Sequence, residues 1–148
     1  MSRRRLLSML VTALLAVTGT VLINPAPAAA AAWEYNDAVA SSAPTGDFEC
    51  HSVTGVTACY KPYGDVFYVK DTAADSASAT AMWYMNYNRD WNYWDRQGEC
   101  RNKLGNGKWG ACNKDLDEEA FVKMTGRVVD FSPEPDEVIR YTGWYWVQ

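Results

Sequence analysis

Aromatic side chains are the most abundant recognition chemistry in this sequence. Residues 82–95, MWYMNYNRDWNYWD, hold six of them: Trp83, Tyr84, Tyr87, Trp91, Tyr93 and Trp94. Asn, Asp and Arg fill most of the gaps. Flat indole and phenol faces beside amides and charges can stack on sugar rings and hydrogen-bond their hydroxyls; binding sites pair apolar lining with a few placed polar groups. The 7 Trp, 9 Tyr and 4 Phe all lie beyond residue 32. A large aromatic buries about 150–250 Å², so a small core needs only a handful of them. The surplus belongs on a surface, where aromatics also serve protein interfaces.

Alternation assigns these residues to faces. Over 80–87, Ala81, Trp83, Met85 and Tyr87 form the core-facing set, and Met82, Tyr84 and Asn86 the opposite one. Over 91–97, Trp91 and Tyr93 oppose Trp94, Asn92 and Arg96. Near the end, Trp144 and Trp146 oppose Tyr141, Tyr145 and Val147. The ligand-binding candidates are therefore Tyr84, Trp94 and Tyr145, with Arg96 as a polar neighbour beside Asn92, Asp95 and Gln97.

Other chemistries are less well served. The single His, His51, follows Cys50, and no G-x-S-x-G elbow is present. A lone strand His is most simply a polar surface residue, and no catalytic residue is assigned. The acids Glu118, Glu119, Glu134, Asp136 and Glu137 fall near expected turns, where solvated charge is the simpler account than a glycosidase pair. The loops with Asp71 and Asp75, and with Asp115 and Asp117, lack the calcium-loop pattern. No metal or cofactor is expected.

The elements that must position the aromatics read as short strands. They are 56–61, 65–70, 80–87, 91–97, 107–112, a long one from about Ala120 to Phe131, and 138–148. Turn residues between them, such as Gly105-Asn106-Gly107 and the segment SPEPDE, punctuate the pattern. Residues 115–124 could instead open a helix on an Asp cap, but Val128, Val129 and Phe131 favour a continuous strand. The expected fold is all-β, a small antiparallel sandwich or barrel with two local disulfides, after an N-terminal signal helix. Residues 33–47, rich in Ala, Ser and Pro, read as a flexible arm, and 48–148 as a single domain.

Residues 1–32 carry Arg3–Arg5, an apolar run and a small-residue exit, the pattern of a secretory signal peptide. SRRRLLS also resembles a twin-arginine signal, which leaves the export route open. A retained membrane anchor is disfavoured by the poly-Ala exit with no basic flank. An even Cys count behind such a leader reads as disulfides. Four cysteines allow three pairings, among which the sequence alone does not choose; locality suggests Cys50–Cys59 and Cys100–Cys112, each of which would close a short loop and contribute roughly 2–3 kcal/mol. Gaps this wide do not fit zinc. The chain has 14 Lys+Arg against 18 Asp+Glu; three of the Arg and none of the acids precede Trp33, so the remainder carries −7. An acidic domain repels phosphate backbones, which disfavours nucleic acid and anionic membrane as partners.

The segments CYKPYGDVFYVKDTAADSASA and GECRNKLGNGKWGAC resemble a group of small secreted actinomycete proteins with no settled activity. The likeness spans Cys50 to Cys112. It implies secretion, disulfides and an extracellular role, and assigns no functional residue. The expected function is a secreted, non-enzymatic binding protein for an extracellular glycan or envelope component. The alternative is an inhibitor or interaction protein that presents the loop Arg101 to Ala111 to an extracellular hydrolase, with Lys103 or Lys108 as anchor. A third reading is a surface or matrix protein that assembles with copies of itself.

Overall fold

The computed structural model describes residues 31–132 and 137–148; all but the end of the expected leader lies outside them. The strands are β1 (Trp33–Asp37), β2 (Val39–Ser41), β3 (Glu49–Val53), β4 (Val56–Lys61), β5 (Val66–Asp71), β6 (Ser78–Asn86), β7 (Arg96–Asn102), β8 (Trp109–Asn113), β9 (Phe121–Asp130), β10 (Glu137–Tyr141) and β11 (Tyr145–Trp146). Two sheets face each other as a sandwich. The first has the order β1-β7-β6-β9-β10, with β11 also on β9; the second has β2-β8-β5-β4-β3. Every pairing is antiparallel except β1 with β7, which is parallel.

Alternation explains the core. Ala81, Trp83 and Met85 of β6 point inward with Val122, Met124 and Val128 of β9, against Val56, Ala58 and Tyr60 of β4 and Phe67 and Val69 of β5. The Trp83 ring stacks on Phe67 at 5.4 Å, and Phe67 meets Tyr60 at 4.7 Å. Truncating fully buried Trp83 to Ala removes the centre of this layer, at a cost of about 3–5 kcal/mol. Both disulfides form as expected. Cys50–Cys59 joins facing residues of β3 and β4. Cys100–Cys112 ties β7 of one sheet to β8 of the other. The 115–120 segment makes a single turn, with Ala120 N donating to Asp117 O, and the strand follows it.

Three expectations need correction. The N-terminal arm is structural: β1 edges the first sheet, the chain crosses at buried Ala38, and β2 edges the second. Its composition gave no alternation because what holds it is distant. Glu34 bonds Arg96 and Lys114. A Cβ on Gly110 would come within 2.6 Å of the Ala38 Cβ, so a bare backbone is required there.

Residues 87–95 are a loop rather than part of a strand; β7 begins only at Arg96. Asn86 is the cause. Its buried amide donates to the carbonyls of Asp90 and Tyr93, and its Oδ1 accepts the Asn88 N–H. These side-chain bonds replace ladder bonds and fold the segment back on itself. Tyr87 accordingly leaves the core-facing set and is exposed. Finally, Gly143, at φ +91°, breaks the last strand into β10 and β11. Trp144 and Trp146 still share a face, but Tyr141 no longer falls in step with Tyr145.

Candidate functional site

The outer face of the first sheet follows from its register. Tyr84 lies opposite Gln97 on one side and Lys123 on the other; Gln97 in turn faces Trp33, and Lys123 faces Trp146. This row runs across the sheet as Trp33, Gln97, Tyr84, Lys123, Trp146. The next row along carries Tyr35, Glu99, Met82 and Thr125. Neighbours in a row stand side by side on one face, so distant segments converge on an aromatic surface.

Lys123 is its centre. It is 5% exposed. Its Nζ lies 3.8 Å from the ring centroids of both Trp91 and Trp94, 4.9 Å from Trp144 and 5.1 Å from Tyr84. Trp91 and Trp94 are delivered by the Asn86-folded loop, and Trp144 by the turn at Gly143. The rings continue outward: Tyr84 meets Trp94 at 4.8 Å, Trp144 at 5.1 Å and Trp33 at 5.9 Å. Trp91 meets Trp146 edge-on at 5.1 Å, and Arg89 caps Phe121 at 4.4 Å. The band is part covered and part open; Trp91 is 51% and Trp144 37% exposed.

No carboxylate pairs with Lys123 among the described residues. Burial alone pushes its amine down to about 8. The ring faces act the other way, since a ring's negative face favours the ammonium. Burial raises the Tyr84 phenol, against the lowering pull of Arg127. Further along the same face Arg127 pairs with Glu99.

The structure joins two of the four expected ligand residues. Tyr84 and Trp94 are in the band. Tyr145 is opposite Met124, on the core-facing side, and its ring stacks on His51 at 3.4 Å and 6°. Arg96 bonds the Glu34 carboxylate at 2.9 and 3.2 Å and the Asp115 carbonyl. It clamps β1 in place. Sequence reasoning missed Lys123, Trp91 and Trp144. The signal was present in part: a Lys at an outward position of a long strand has to end somewhere, and the surplus Trp was the material to cover it.

Elsewhere, an open depression of about 680 Å³ is lined by Met85, Tyr87, Arg96 and the acids Asp115, Asp117, Glu118 and Glu119. No group of three or more His, Cys, Asp or Glu side chains among the described residues is arranged to hold a metal ion. The exposed loop after β7 is braced from beneath. Buried Asn102 donates to the carbonyls of Val69 and Lys108 and accepts the Leu104 N–H. Lys103 is paired with Asp37 at 2.8 Å.

Compared with protein-family models, with curated proteins and with solved structures, the chain has no significant match.

Proposed function

We propose that the protein is a secreted, non-enzymatic binding protein whose outer aromatic band stacks on sugar rings of an extracellular glycan or envelope component. The observation that carries this reading is the half-open band of Trp91, Trp94, Trp144 and Tyr84 on one sheet face. Tyr84 stands on the sheet, and Trp94 and Trp144 pack against it at 4.8 and 5.1 Å, so these rings are held in place before binding, which lowers the ordering cost. The leader-like first 32 residues and the two disulfides support the extracellular setting. A glycan array and a pulldown on insoluble cell-wall material test it. Retention that falls at least tenfold in Trp91→Ala/Trp94→Ala supports it; no retention of the wild type on any glycan removes it.

A second reading rests on the braced loop 103–108, which a hydrolase inhibitor would present. Gly105 and Gly107 both have positive φ, +91° and +78°, so the loop is a compact turn rather than an extended, substrate-like segment. Trypsin-like and subtilisin-like enzymes assayed with micromolar protein decide this; full residual activity excludes it.

A further inference from the structure

Lys123 holds its charge over the rings of Trp91 and Trp94, at 3.8 Å from each centroid; Trp91 is half exposed and Trp94 is half-buried. A cation behind a ring draws the ring's negative face toward itself. The outer face of such an indole is therefore less electron-rich than that of an ordinary one, and it is a poorer acceptor for the C–H groups of a neutral sugar. It also carries a positive potential. A group stacked on the outside of Trp91 would sit one ring beyond an ammonium that is 3.8 Å from the centroid, within a Debye length of about 8 Å at physiological salt. At that range and a surface-like effective dielectric, a unit charge interacts by enough to change affinity several-fold.

Among the described residues no carboxylate pairs with Lys123 to cancel this field, unlike Lys114, which is bonded to Glu34 at 2.7 Å. The chain beyond residue 32 is acidic overall, so the positive ring face is a local exception to the molecule's net field. Resting on the reading of the band as a glycan platform, we infer that it selects sugar chains bearing anionic groups, read by Lys123 through the indoles of Trp91 and Trp94. Lys123 is a specificity-determining residue that needs no direct contact with the ligand, and the rings around it need not part.

Affinity electrophoresis tests this with three soluble polymers: a polyuronate, a sugar-phosphate polymer and a neutral polysaccharide. Wild type, Lys123→Met and Lys123→Arg are compared, with near-ultraviolet circular dichroism showing that each variant is folded. The expected result is wild-type affinity for at least one anionic polymer about fivefold or more above that for the neutral one. Lys123→Met should erase the preference while retaining weak neutral binding, and Lys123→Arg should keep it. The uronate and phosphate arms show which anion is read. An anionic preference that survives in Lys123→Met, or a wild type that favours the neutral polymer, overturns the inference and leaves the glycan platform standing. No binding of the wild type to any of the three removes the platform itself.

Discussion

Two lysines are buried to nearly the same depth, and the fold treats them in opposite ways. Lys114 is 7% exposed and Lys123 5%. Lys114 bonds the Glu34 carboxylate and the Asn36 side chain, with the Trp83 ring 5.0 Å away. Among the described residues, the Lys123 ammonium meets ring faces and no carboxylate. The first is a clamp, because its partner is on β1 and the bond fixes a distant segment to the core. The second fixes nothing by charge, so its ammonium can act on whatever lies beyond the rings. A buried cation tied to a carboxylate is spent on architecture, whereas one enclosed by rings keeps its field.

The sharpest way to break the clamp is Glu34→Gln. It leaves buried Lys114 and Arg96 without their carboxylate, and should destabilise the fold by about 3 kcal/mol in denaturant titration. Asn86→Ala acts on the rings around Lys123. It orphans the carbonyls of Asp90 and Tyr93, should cost about 2 kcal/mol, and should make Trp91 and Trp94 fluorescence more quenchable by acrylamide. Lys114→Met should cost about 1–2 kcal/mol, less than Glu34→Gln, because Glu34 keeps Arg96. Lys123→Met should cost nothing and is expected to raise the melting temperature by a few degrees, since it removes an unpaired buried charge of similar shape.

The two groups also differ in their pH dependence. Burial raises the Glu34 carboxyl, but the bonds and charges of Arg96 and Lys114 outweigh it and hold the group below its ordinary 4.5. Glu34 therefore stabilises above about that pH, and its contribution is lost as pH falls through the folded value. Lys123 behaves oppositely. Its folded amine titrates near 8 and its unfolded one near 10.5, so between these values the unfolded chain binds the extra proton. Stability from this group rises with pH across that window. The groups facing Lys123 are uncharged indoles and the Tyr84 phenol, which burial raises. The difference between wild type and Lys123→Met, measured from pH 7 to 10.5, should show the limb; a flat difference would mean that the rings cancel the burial effect.

Local patterns carried much of the fold. β4, β5, β8 and β9 followed from alternation and turn residues, and both disulfides from sequence proximity and the turns they bracket. Long-range register was illegible. Nothing in the residues around Tyr84 shows that it faces Lys123, because the pairing of β6 with β9 is a decision of the whole sheet. β1 and β2 were equally hidden, since Glu34 finds its partners more than sixty residues away. Residues 91–95 misled for a different reason. Their aromatic alternation is strand-like, but one buried amide, Asn86, outcompetes it.

The placement of Glu34 also bears on how far the amino terminus could be trimmed. Gln97 already holds the Ala31 carbonyl at 2.8 Å, and β1 begins at Trp33. A peptidase that trims up to Trp33 leaves the clamp intact. One that removes two residues more takes Glu34, leaves Lys114 without its carboxylate, and frees the edge of β7. On the reading of the first 32 residues as a leader, the fold itself would limit how far the amino terminus can be trimmed before the edge of β7 is exposed.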